Sequence, residues 1–251
     1  MPADLGPKQK RKLRCICAAI LGAFACINFC ACAAQENADI YMASPEGGYV
    51  EVMPDLRRNY PKGDTAPLVI ERGYEEFEAG HVLYPKVIAG AHAKKINESI
   101  CRSALHYAKE DGQIFTEYRV ENNDDGLYSI MLYVRDLQSD GFIAQLPMTF
   151  DTASGELCDI SYFFDPNSDA WRSDLAVLAQ EAAKADGLAL LKDIPPVEDG
   201  QMYYIKEGDI VLLYRVYEYT SYTEEWPAFK IPIEAVKKYL AEGSPLLRLL
   251  A

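Results

Sequence analysis

From Leu68 onward the apolar positions recur in two rhythms, one of period two and one of three to four. Leu68 to Glu71 and His81 to Tyr84 are short strand-like runs, and Tyr84 precedes a proline, which keeps it extended. Ala93, Ile96, Ile100, Ala104 and Tyr107 then step by three and four, which predicts a helix over 91–109 ended by Asp111-Gly112. Three strands follow, at 114–121, 127–137 and 142–151. Asn122 to Gly126 and Ser139 to Gly141 form the polar turns between them, so the pattern is an antiparallel meander. After the turn Asp151 to Gly155, Glu156 to Phe164 reads as a further strand. Leu175, Leu178, Ala182 and Ala185 predict a helix over 170–185, with Ser168 or Asp169 as its cap. The last hairpin pairs Gln201–Ile205 with Asp209–Tyr219 through Glu207-Gly208. A short strand at Phe229–Ile231 and a helix from Ile233 to Leu240 close the pattern, with Pro232 at a tolerated first-turn position.

Helices stand apart from runs of antiparallel strands, so the class is α+β. The expected architecture is two packed parts, 68–150 and 151–242, each an antiparallel sheet with one or two helices, followed by a tail at 243–251. Ahead of them, residues 35–67 are broken by Pro45, Gly47, Gly48, Pro54, Pro61, Gly63 and Pro67 and read as an irregular tether or arm.

The first 34 residues have a different character. Lys8, Lys10, Arg11, Lys12 and Arg14 precede 20 residues without a charge, Cys15 to Ala34. A cationic start and an apolar run ending in small residues mark a secretory signal. Three fates stay open. Ala31-Cys32-Ala33 offers a peptidase its small residues. Phe29-Cys30-Ala31-Cys32 resembles a lipobox with Cys32 as the lipidated residue, and Cys26 is a weaker second candidate. Kept uncleaved, the run is long enough to anchor in a bilayer. Each fate places the bulk of the chain outside the cytoplasm, either membrane-tethered or secreted, with membrane contact only through the signal, lipid or anchor. Only fourteen residues precede the apolar run, so no folded cytoplasmic part is expected.

Processing changes the charge. The chain holds 25 basic and 38 acidic residues; residues 1–34 carry five of the former and one of the latter, which leaves 20 against 37, formally −17. Such a surface repels nucleic acid and suits cationic partners. Five of the seven cysteines lie in the signal, so only Cys101 and Cys158 remain to pair or to stay as buried thiols.

Candidate chemistry is sparse. His81, His92 and His106 form no ligand-spaced pair, so neither a metal nor another cofactor is expected. Asp165, Asn167 and Asp169 begin like a calcium loop, as do Glu121, Asn123 and Asp125. The twelfth positions, Ala176 and Leu132, break the rule, so a helix cap and a hairpin turn are expected instead. No nucleophile elbow and no phosphate-binding glycine loop is present, so no catalytic residue is assigned. A hydrolase acting on envelope polymers through a carboxylate pair stays open as the alternative. Aromatic residues crowd the last fifth: Tyr203, Tyr204, Tyr214, Tyr217, Tyr219, Tyr222, Trp226 and Phe229. Most fit a strand core. The loop Tyr222, Glu224, Glu225 and Trp226 is the candidate binding loop, since an aromatic anchor beside two carboxylates suits a cationic protein or an amino sugar.

Three stretches together resemble a bacterial family. They are Tyr84 to Ile88 with Ile96-Asn97, then Phe150 to Leu157 leading to Phe163-Phe164, and Ile210 to Tyr219 with Tyr222 and Phe229 to Leu240. They are similar to the extracytoplasmic domain shared by lysozyme-sensing RsiV anti-sigma factors and the accessory part of PdaC-type peptidoglycan deacetylases. The resemblance implies an α+β fold in two packed parts and work at the cell envelope. This chain departs from the family in carrying Ser139 to Ile143 where a Gly-Gly-Ala-His run is frequent, and no deacetylase motif follows Leu240. The expected function is a non-catalytic extracytoplasmic binding or sensing module, with a cationic protein or an envelope glycan as partner.

Overall fold

A computed structural model describes residues 60, 63, 65–108, 113–137, 142–221 and 226–250. These belong to one compact unit, Tyr41–Ala251. The signal, Cys32, most of the arm and Tyr222, Glu224 and Glu225 of the expected loop lie outside the described residues.

The architecture is α+β with two sheets. The larger has six strands in chain order: β1 (Ile70–Phe77), β2 (Gly80–Val87), β3 (Ile114–Asp124), β4 (Leu127–Asp136), β5 (Phe142–Asp151) and β6 (Glu156–Leu157). Neighbours run antiparallel except β2 and β3, which are parallel because helix α1 (Ala93–Leu105) carries the chain across between them. The smaller sheet is β7 (Tyr203–Lys206), β8 (Asp209–Leu213) and β9 (Ala228–Pro232), with helix α2 (Ala170–Ala185) before it and α3 (Ile233–Val236) after it. Among the described residues no helix is long and apolar enough to cross a membrane.

Local chemistry explains most of these bounds. β3 and β4 join through Asp125-Gly126, and β7 and β8 through Glu207-Gly208; all four residues have positive φ, as the two-residue turn that matches strand twist demands. α2 spans the predicted residues and buries Trp171, Leu175, Ala179 and Ala183, one stripe of a 3.6-residue repeat. Asp169 does not cap it: its Oδ1 accepts from Arg172 Nε (2.9 Å) instead. The strand expected over Glu156–Phe164 stops at Leu157. Asp159 Oδ1 accepts the Tyr162 amide (2.9 Å) and starts a 3-10 helix at Ile160–Phe163, which carries the chain out of the sheet. At the C-terminus Pro245–Leu250 forms a further 3-10 helix with Leu246 fully buried.

The central strand β4 is buried on both sides. Tyr128, Ile130, Leu132 and Val134 pack with Ile96, Ile100 and Ala104 of α1. The alternate residues face the smaller sheet: Leu127 joins the core built by α2 and β7–β9, and Met131 packs with Tyr204, Val211 and Leu213. Each such side chain fully buried contributes roughly 1.5–3 kcal/mol. β7, at the edge of its sheet, lies against β3, β4 and β5. There the Ile205 amide donates to buried Ser129 Oγ (3.0 Å), itself bonded to Thr149 Oγ1 (2.8 Å). A polar edge group that water would otherwise satisfy thus finds a partner on the larger sheet. Cys101 and Cys158 are free thiols, one beside the α1 core and one in the α2 core.

Candidate functional site

Where the smaller sheet fails to cover the outer face of β3–β5, a cleft of about 270 Å³ opens. Cross-strand register sets its walls. Glu117, Tyr133 and Gln145 form one row across three strands, and Arg119 sits opposite Met131 in the next. A bulge between β4 and β5 aligns Phe142 with Arg135. From the smaller sheet come Tyr204, Leu213 and Ala228, and Trp226 leads into β9. Buried Met131 and Leu213 give the cleft its apolar floor.

The aromatic rings form a connected surface. Tyr133 and Phe142 stand 5.2 Å apart at 48°, and the Arg135 guanidinium lies 3.8 Å over Phe142. Arg119 lies 6.0 Å from the Tyr133 ring. Trp226 is half-buried and packs beside Met131, Tyr204 and Leu213. It is therefore part of the cleft wall.

Charge enters through a second bulge. β3 skips Glu121 between Val120 and Asn122, and this carboxylate sits with only 1% of its side chain exposed. Arg119 Nε donates to Glu121 Oε1, and Lys206 Nζ lies 3.2 Å from Oε2. Burial opposes the Arg119 charge, but the Glu121 hydrogen bond and the field of Tyr133 and Glu121 outweigh it, so its pKa stands above the ordinary value. Burial, and then the Glu121 charge, push the Tyr204 phenol up. Glu121 is locked between two cations, whereas Glu117 is half-exposed and pairs with Arg135 at 3.5 Å.

The other singled-out residues have local duties. Asp165 Oδ1 accepts from the Asn167 amide and from Asn167 Nδ2 (both 2.9 Å), which holds its carboxyl below the usual range. Fully buried Asp151 accepts from Tyr162 Oη (2.6 Å) and the Ala153 amide (2.9 Å). Among the described residues no three His, Cys, Asp or Glu side chains gather as metal ligands. Tyr203, Tyr214, Tyr219 and Phe229 are core residues, while Tyr217 is exposed. Of the expected binding loop, the described Trp226 lines the cleft. Glu117, Arg119, Tyr133, Phe142 and Gln145 escaped sequence reading. The signal for them was the run Leu127 to Val134, apolar at both parities of a strand, which implies cover on two faces.

No family model and no curated protein matches the chain. Solved structures do. A DUF3298 family protein from Pseudomonas aeruginosa PAO1 is 14% identical with a TM-score of 0.56, over 72% of this chain and 97% of that one. A member of the DUF3298 family from Bacteroides fragilis NCTC 9343 is 14% identical with a TM-score of 0.52, over 75% and 99%. At this identity the likeness is one of fold. It fits the family resemblance read from the sequence at a coarse level.

Proposed function

We propose that the chain is a non-catalytic binding or sensing module working outside the cytoplasm at the bacterial cell envelope. Its binding site is the cleft between the two sheets, and its ligand is an envelope glycan. The observation that carries this reading is the set of aromatic walls, Tyr133, Tyr204 and Trp226, with Glu117, Arg119 and Gln145 among them. Sugar rings present apolar faces and a rim of hydroxyls, so they suit flat aromatic surfaces with polar groups at the edges. A cleft of about 270 Å³ is sized for a sugar-sized group. A globular protein partner would need roughly 800 Å² of matching surface on each side. The signal-like pattern of residues 8–34, a cationic start and an apolar run, supports an extracytoplasmic placement.

Two observations favour binding over hydrolysis. Glycoside cleavage uses a pair of carboxyl groups. Among the described residues the cleft wall carries one, Glu117, and it is paired with Arg135. The test is retention of the protein on insoluble envelope polymer, followed by analysis of the supernatant. Trp226→Ala is expected to weaken retention by ~2 kcal/mol or more, as loss of an aromatic anchor does, with a melting temperature close to that of the parent. Release of soluble fragments, abolished by Glu117→Gln, would replace this reading with the hydrolase one. A melt lowered by the ~3–5 kcal/mol typical of an aromatic core truncation, with retention unchanged, would make Trp226 a core plug.

A further inference from the structure

We infer that the cleft selects a sugar carrying a carboxylate, with Arg119 as the group that receives it. This rests on the glycan reading and specifies its chemistry.

The argument begins with a charge out of place. The protein is acidic, with a formal net charge of −13, yet the ion pairs at and beside the cleft, three cations against two carboxylates, are not. Arg119 and Lys206 both address Glu121, and one carboxylate balances only one of them. The neighbouring pair, Arg135 with Glu117, is neutral. One positive charge is therefore left over, and it sits beside the cleft rather than on the acidic exterior. Arg119 is the member that lines the cleft, with 51% of its side chain exposed.

Geometry makes that charge directional. Glu121 engages the Nε edge of the guanidinium, which holds its plane. The Arg119 guanidinium carbon lies 6.0 Å from the Tyr133 ring, and its side chain also hydrogen-bonds Tyr204, so both cleft walls help to hold it. A guanidinium has five N–H donors, and those not taken by Glu121 and Tyr204 remain to meet a carboxylate. Glu121 is thus a positioning residue. A pyranose lying against the aromatic wall brings a ring-borne carboxylate within reach of Arg119, and Gln145 on the opposite strand row can meet its hydroxyls. A cationic ligand finds Glu121 enclosed and Glu117 already facing Arg135. A neutral sugar gains the stacking alone.

Two sources share this chemistry: uronic acids, with the carboxylate on the ring, and lactyl-ether amino sugars, with it on a short arm. The experiment uses the full chain and isothermal titration with matched pairs. An oligouronate and an N-acetylglucosamine–N-acetylmuramic acid oligosaccharide are each compared with their carboxyl-reduced forms, in which a hydroxymethyl group replaces the carboxylate. The acid form of one source is expected to bind about tenfold tighter than its reduced partner, in line with a charged hydrogen bond, and the source showing the gap is the one recognised. The gap should shrink with added salt and vanish in Arg119→Gln. Because Arg119 also supports buried Glu121, a melt accompanies that variant; if it unfolds, the salt dependence of the parent decides. Equal binding of acid and reduced forms, or a preference that survives Arg119→Gln, would overturn the carboxylate inference and leave the glycan reading standing. Absence of binding by every form would sink both.

Discussion

Asn97 does the work of a strand residue from a helix. Its Oδ1 accepts from the Val87 amide (2.9 Å) and its Nδ2 donates to the Val87 carbonyl (2.8 Å). Asn123 does the same for Leu68, at 2.9 Å in each direction, and the Thr116 hydroxyl bridges both backbone groups of Leu83. A carboxamide copies a peptide group, with donor and acceptor side by side. These side chains satisfy β2 and the approach to β1 where the chain parts from its neighbours. Asn97→Ala is therefore expected to cost ~1–3 kcal/mol in urea titration, since both Val87 groups lose their partner; Asn97→Asp, which restores only the acceptor, should recover little. A larger loss is expected at Gly80. It holds φ +127, and an added Cβ would stand 2.1 Å from the Ile114 carbonyl oxygen, where β2 meets β3. Gly80→Ala should destabilise by at least about 3 kcal/mol, and a well-folded variant at parental stability would show that the β2–β3 junction can give way. Neither effect could be read locally. Ile96-Asn97 stood out as part of a resemblance, but the partner of Asn97 lies ten residues upstream around a turn.

At the scale of elements, two aspartates ahead of helices contrast. Asp159 caps its 3-10 turn through the Tyr162 amide and also accepts from Ser161 Oγ (2.7 Å). Asp169 precedes the longer α2 but gives its carboxylate to Arg172, which also reaches Asp199 (2.6 Å) and the Val197 carbonyl (3.0 Å). Thermal melts should separate them: Asp159→Ala is expected to cost ~1–2 kcal/mol as a lost cap, and Asp169→Ala no more than about 0.5 kcal/mol. Equal losses would contradict the assignment. Elements whose signals are local were legible. The Asp125-Gly126 and Glu207-Gly208 turns announce themselves because few residues accept positive φ, and α2 follows its apolar stripe. The run Cys158 to Phe164 misled because six of its seven residues are buried, and burial on every side erases the alternation that separates strand from helix.

At the scale of the whole molecule, the cleft was legible only as Trp226. Its walls on the larger sheet come from strands more than seventy residues earlier, and their arrival depends on which face of β4 the second sheet covers. The same two-sided packing buries many weak acids. Tyr84, Tyr128, Tyr162, Tyr203 and Tyr214 are all raised above their ordinary value, burial being the first cause in each, and the Cys101 thiol is pushed up to about 11. Below about pH 7 these groups are protonated both folded and unfolded and contribute no pH dependence. Above it the unfolded chain loses protons that the folded one keeps, so stability falls as pH rises. Urea midpoints taken between about pH 8 and 11 should decline steadily, with a further rise in phenolate absorbance on unfolding as the buried tyrosines are released; a flat profile would refute this. The double burial of β4 also imposes an order on synthesis. Its α1 face is covered as soon as β1–β6 have formed, by Leu157, but its other face waits for β7, which starts at Tyr203. At ordinary elongation rates those intervening residues take roughly 2–9 s to make. For that interval Leu127, Met131 and Tyr133 lie open on an otherwise finished sheet, a greasy strip that invites chaperones or self-association. A chain cut short between 160 and 200 would wear that strip permanently, and its fate in the cell should be proteolysis.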